Sequence, residues 1–170
     1  PAVSLRETMA AMATLRERGL VRAVGLSNAS AYQLSCAQHV SDVPVAVNQI
    51  EFHPWRQQPD VVEYCAENGV VVDAAAPLAR TRVFETDAVQ DLAAKHGRSP
   101  GQIVLKWAVE RDATVIPKST APAHVRENAA LFDWDLPAED RRRLDDLDCG
   151  RSVYNLSPTD WDDETFGIAR

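Results

Sequence analysis

"PDVVEYCAENGVVVDA", residues 59–74, reads as one helix followed by one strand, and the rest of the chain is organised around that unit. Pro59 sits at a first helical position, where its missing N–H is no loss and its fixed φ is already helical. Gly69 is placed to end the helix, because the residue after a helix favours positive φ and glycine has no Cβ to clash there. The apolar run 70–74 is short and rich in β-branched valine, so it reads as a buried strand.

The same alternation recurs on both sides. Upstream, a strand spans about Val45–Ile50 and leads into the loop "FHPWRQQ" (52–58). Before it comes a helix opened by Ser30, with Gln33 three residues on, and before that a short strand, Val21–Leu26. The first helix carries a capping-box pair, Ser4 and Glu7; Leu5, Met9 and Met12 share a face, and Gly19 is placed to end it. Downstream, a longer loop precedes a helix ending at Gly97 and another opened by Ser99, Pro100 and Gln102. A fourth strand is predicted at 114–117, then helices from Pro122 and from Pro137. From Gly150 onward the chain is polar with scattered aromatics and is expected to be a surface tail, 150–170.

Short apolar strands alternating with helices predict an α/β fold with a parallel sheet of four βα units. A doubly wound nucleotide fold would want G-x-G-x-x-G after its first strand, and none of the seven glycines makes a G-x-G. A (β/α)8 TIM barrel needs about 250 residues and eight strands, of which the 170 residues here supply about half.

Composition narrows the function. A net charge of -7 argues against nucleic acid or an anionic membrane as partner. Cys36, Cys65 and Cys149 are odd in number and form no C-x-x-C pair, so neither a disulfide framework nor a metal site is expected. No stretch approaches the roughly 18 apolar residues of a membrane span. A cytoplasmic location is the expectation. Against this acidic background "VIPKST" (115–120) stands out: an apolar run delivering a lysine and two hydroxyls suits an anionic ligand. On residue types alone, Ser27–Asn28 also suits a turn cap and Lys118 a solvated position.

Five segments in order resolve the choice of fold. "LVRAVGLSN" (20–28), "VNQIEFHPW" (47–55), "APLAR" (76–80), "SPGQIVLKW" (99–107) and "VIPKST" with "HVRENAALFDWDL" (115–120, 124–136) resemble the aldo-keto reductases. The likeness spans about residues 4–148. It implies a (β/α)8 barrel that reduces aldehydes and ketones with NADPH and no metal. The four strands would be the fifth to eighth of that barrel, making 1–149 its C-terminal half.

The resemblance also implies roles. Ser27, Asn28 and Gln49 match residues that hold the nicotinamide carboxamide, where an amide offers both donors and an acceptor. Pro77 and Leu78 fall in a cofactor-contacting loop. Lys118, Ser119, Thr120, His124 and Asn128 match positions around the adenosine 2'-phosphate of NADP(H). His53 is expected to support its loop and Trp55 to line the pocket mouth. Trp107 and Trp134 are expected in packing, and the arginines at 141–143 on a solvated helix face.

Three departures from the family pattern matter. Ala75 stands where an aromatic, often tyrosine, stacks on the nicotinamide, and Ala76 stands where a serine is usual. His124 replaces an arginine, and Arg126 lies about 200° further round a helix. A largely neutral histidine weakens the case for the 2'-phosphate and leaves NAD(H) as an alternative. The catalytic Asp, Tyr, Lys and His of the family have no match, so no catalytic residue is assigned. Tyr32, Tyr64 and Tyr154 fall in helices or the tail. The expectation is a half-barrel that needs a missing N-terminal half or associates with itself, and that acts on a small carbonyl substrate only when complete. It could be a fragment, a truncated product or half of a split enzyme. A non-catalytic nucleotide-binding or regulatory subunit is the alternative.

Overall fold

Four parallel strands lie in one sheet in chain order in the computed structural model, which describes residues 3–154. The elements run α1 (Leu5–Glu17), β1 (Val24–Ser27), α2 (Ala31–Val40), β2 (Val45–Glu51), α3 (Pro59–Glu67) and β3 (Val71–Ala75). A 3-10 segment (Ala79–Glu85) follows, then α4 (Asp87–His96), α5 (Pro100–Val109), β4 (Thr114–Val115), α6 (Pro122–Ala129) and α7 (Ala138–Asp145). Parallel neighbours need a crossover, and each crossover here carries a helix. The result is four consecutive βα units of a barrel.

Local signals set the helix ends. Ser4, Ser30 and Ser99 each accept from the backbone N–H three residues on, while Glu7, Gln33 and Gln102 reach back to the cap backbone. Gly97 closes α4 at φ 60°, a conformation that favours glycine. Gly25 is required for a different reason. A Cβ there would stand 2.3 Å from Val47 Cγ1 and 2.8 Å from the Val47 carbonyl oxygen, so β1 and β2 approach as they do only because position 25 is bare.

The core forms where the helices pack on the sheet. Leu34, Ile50, Val72, Ala74, Val104 and Trp107 are among its buried members, and Phe52 stacks on Trp107 at 5.0 Å. Trp107 satisfies its indole N–H on Asp145 of α7 at 2.7 Å. The arginines at 141–143 are not simply solvated: Arg141 pairs with Glu110 and Arg143 with Asp91. Asp140, with a side chain 3% exposed, accepts from Lys95 and His96 at 2.8 and 2.7 Å and ties α7 to α4. Burial would raise its carboxyl pKa, but the hydrogen bonds and charges of Lys95 and His96 outweigh that and hold it below its ordinary value.

Several expectations shift. The first strand is Val24–Ser27 and not Val21–Leu26, because its partner β2 begins only at Val45, opposite Val24. The fourth strand is Thr114–Val115 and stops short of 117, since Pro117 has no N–H to carry the ladder on. Met12 is exposed while Met9 is buried. The chain after Gly150 does not leave the body at once: Val153 is buried, held by contacts described below. The remainder of the expected tail, 155–170, lies outside the described residues.

Among the described residues, β1 pairs only with β2 and β4 only with β3, so the sheet has two open edges. Val71 and Ile116 are 43% and 50% exposed on or beside these strands. No helix of the described residues is long and apolar enough to cross a membrane. Nor do they gather three or more His, Cys, Asp or Glu side chains fit to hold a metal.

Candidate functional site

The carboxyl ends of the strands carry the polar residues of the sheet. Parallel register places Ser27 opposite Gln49 and Gln49 opposite Asp73. Asn28 turns the chain out of β1 at φ 57°, and its N–H donates to the Gln49 carbonyl at 2.8 Å. Its side-chain amide donates to the Ser27 hydroxyl at 3.1 Å. The Gln49 amide donates to Asp73 at 2.7 Å, and the other Asp73 oxygen accepts from Thr114 at 2.8 Å. One hydrogen-bonded row thus links all four strands, and it fixes which way the Gln49 amide faces. Asn48, one residue earlier, is fully buried and bonds the Ala29 backbone through both amide atoms.

Beside this row opens a cleft of about 610 Å³. Gln49 lines it with Ala75–Leu78 of the loop after β3, with Arg80 and Thr81, with Ile116–Lys118 after β4, and with Tyr154. Two cations and one neutral amide face the cleft, and among the described residues none of its lining side chains is a carboxylate. An anionic ligand carrying an amide-like group is what such a lining favours. A groove of similar size between α1 and α2, lined by Ala10, Ala13, Val40 and Val43 among others, lies away from the strand ends.

The loop after β3 is bent to present its backbone. Ala76, Ala79, Arg80 and Thr81 all adopt positive φ, between 47° and 66°, a region costly for residues with a Cβ. Ala79 and Thr81 donate back to the carbonyls of Ala76 and Leu78, which holds the tight turns.

Of the expected site residues, Gln49, Pro77, Leu78 and Lys118 share the cleft, and Ser27 and Asn28 abut it through Gln49. Lys118 is exposed and makes no ion pair among the described residues. The Ser119 hydroxyl is engaged by the Ala121 N–H at 3.2 Å, at the entry to α6. Thr120 and His124 are exposed. Asn128 lines a separate recess of about 210 Å³ with Pro117 and Val125, adjoining the cleft through Pro117. Trp55 is not among the described residues that line this cleft: Arg151 lies over its ring at 4.6 Å, and its carbonyl accepts from the Cys149 and Arg151 N–H groups.

Sequence reasoning missed Asp73, Arg80 and Tyr154. Asp73 sits in the middle of a strand and looked like any strand residue, although its two-residue spacing from Ala75 puts both on the same face of the sheet. Tyr154 depends on a buried carboxylate that no local pattern announces. Glu51, at the end of β2, accepts from His53 at 2.9 Å, from the Ser152 hydroxyl at 2.6 Å and from the Val153 N–H at 2.6 Å. Arg56 stands 3.6 Å away. Burial would raise the Glu51 pKa, but these hydrogen bonds and the charge of His53 together hold it below the usual value. His53 therefore supports its loop, as expected, and Glu51 buckles residues 152–153 onto the sheet.

The geometry has counterparts in known proteins. The pattern described as "Aldo/keto reductase family" matches residues 1–148. Aldo-keto reductase family 1 member A1 of Rattus norvegicus is 38% identical over 152 residues, covering 84% of this chain and 47% of the relative. The aldose reductase of Schistosoma japonicum superposes with a TM-score of 0.87 at 29% identity, covering 92% of this chain and 51% of that one. A mutant of Gox0644 crystallised in complex with NADPH superposes with a TM-score of 0.82 at 32% identity, covering 86% and 55%. The chain spans about half the length of the curated relatives it matches.

Proposed function

The chain belongs to the aldo/keto reductase family, and on that premise we propose that its strand-end cleft is the nucleotide site of an NADP(H)-dependent carbonyl reductase. The reaction of the complete barrel would be reduction of an aldehyde or ketone to the alcohol. When bound, the nucleotide supplies the hydride. The residues of this chain hold and orient it. The observation that carries the reading is the cleft, which the Gln49 amide and two cations, Arg80 and Lys118, line with no carboxylate among the described residues.

The roles follow from position. Ser27, Asn28 and Gln49 form the polar end suited to a carboxamide, with Asp73 fixing the Gln49 donor so that its acceptor stays available. Pro77 and Leu78 supply an apolar floor. Lys118, with Ser119 and Thr120 before α6 and with His124 and Asn128 on it, forms the end suited to a 2'-phosphate. His124 at the place of an arginine lowers the charge there, so NAD(H) remains the alternative cofactor.

No acid chemistry is assigned to these residues. Tyr64 donates its hydroxyl to Gln38 on α2, and no lysine–aspartate pair accompanies any described tyrosine at the cleft. We place proton donation and carbonyl binding in a complementary half-barrel, which the two open sheet edges suit. Residues 1–149 are then the cofactor-holding half. The same absence supports a second reading, a nucleotide-binding or regulatory subunit without turnover.

Calorimetric titration of the chain with NADP⁺ and NAD⁺ tests the site. The expected result is tighter binding of NADP⁺. Lys118→Ala should weaken NADP⁺ roughly 10- to 100-fold, the worth of one charge-assisted contact, and leave NAD⁺ nearly unchanged. Equal affinities for both nucleotides, untouched by the substitution, would remove Lys118 from the site.

A further inference from the structure

We propose that Tyr154 is a positioning residue for the nicotinamide ring, supplying from the C-terminal segment the aromatic surface that Ala75 lacks. The inference rests on the nucleotide reading above. It starts from the composition of the cleft. Between Gln49 and the loop after β3 the lining is aliphatic, Ala75 to Leu78 with Ile116, and among the described residues Tyr154 is the one aromatic side chain that lines it. A flat heteroaromatic ring whose carboxamide sits at Gln49 would meet only small aliphatic groups on the β3 side. Aromatic rings offer large, geometrically specific contact surface that alanine does not.

A useful wall must also be held in place, and the structure shows how this one is. Glu51 accepts from the Ser152 hydroxyl and from the Val153 N–H, both at 2.6 Å, and the Val153 side chain is 2% exposed. The Ser152 oxygen also accepts from the Tyr154 N–H at 3.1 Å. The backbone entering Tyr154 is therefore pinned to the end of β2, two residues past Gln49. The Arg80 guanidinium lies 5.3 Å from the ring centroid, which ties the ring to the strained loop after β3. A side chain anchored from below by a buried carboxylate and from the side by a cation is pre-ordered, so little rotamer entropy is lost on binding.

The test compares NADP⁺ with 2'-phosphoadenosine diphosphate ribose, which keeps every anionic group and lacks the nicotinamide. Affinities of the unchanged chain, Tyr154→Ala and Tyr154→Phe are measured by titration, with thermal unfolding of each as a control for folding. The expected result is a loss of roughly 3- to 10-fold for NADP⁺ in Tyr154→Ala, no change for the analogue, and recovery in Tyr154→Phe. Equal effects on both ligands, or none on either, would overturn the role of Tyr154 while leaving the nucleotide site standing. Failure of the unchanged chain to bind either ligand would overturn the site and this role with it. Loss of NADP⁺ affinity in Tyr154→Phe would also overturn it, because the contribution would then lie in the hydroxyl and not in the ring.

Discussion

At the scale of single residues, Asp73 and Lys118 separate the two ends of the proposed site. Asp73 holds the Gln49 amide through one oxygen and Thr114 through the other. Asp73→Ala should therefore release Gln49 and weaken NADP⁺ and NAD⁺ alike, each by roughly 2- to 10-fold, the worth of one ordinary hydrogen bond. Because the 2'-phosphate end is untouched, the NADP⁺ to NAD⁺ ratio should stay constant, whereas Lys118→Ala should shift it. Titration of both nucleotides against both variants reads the difference. Gln49 and Lys118 were singled out in the sequence by the family resemblance, Lys118 also because an apolar run leads into it. Asp73 was not, since its role is set by parallel register to a strand 41 residues away at Thr114. Tyr154 was hidden for a similar reason: its anchor, Glu51, lies 102 residues from the Val153 N–H it accepts.

At the scale of elements, helix starts were the most legible features, because a capping box is local and three of them formed as written at Ser4, Ser30 and Ser99. Strand ends were less so. Where β1 begins is decided by the start of β2, and where β4 stops by the missing N–H of Pro117. The spacing of β1 and β2 makes a sharp prediction. Gly25→Ala drives a methyl against Val47 and should cost about 1–3 kcal/mol, read as a lowered unfolding midpoint. The two buried carboxylates make another. Glu51 and Asp140 ionise more readily folded than unfolded, so they add stability in full above their ordinary values of 4.5 and 3.8. That contribution is lost as pH falls through the lower folded values. Thermal unfolding followed down the acid range should show the loss in the unchanged chain and a shallower slope in Glu51→Gln and Asp140→Asn. Equal slopes in all three would show that neither carboxylate is stabilised by its partners.

At the scale of the molecule, the described residues supply four strands of a partial barrel, and the two edge strands and the exposed Val71 and Ile116 are where a closed barrel would be paired or covered. Open edges and uncovered apolar surface favour association, and a two-fold pair would bring eight strands together. Light scattering coupled to size exclusion should find the chain as a dimer or larger. A monodisperse 18.7 kDa species with a sharp unfolding transition would instead mean that the sheet edges are stable alone. The same half-barrel logic divides the chemistry we propose: the nucleotide contacts are assigned to these strand ends and proton donation to the complementary half. General acid assistance is typically worth about 10² to 10⁴ in rate, so the division has a measurable consequence. The most direct measurement is NADPH oxidation by the purified 170-residue chain across a panel of aldehydes. The predicted result is no turnover above the uncatalysed rate. Turnover that survives purification and is lost in Gln49→Ala would contradict it, because it would place a complete catalytic site within these residues.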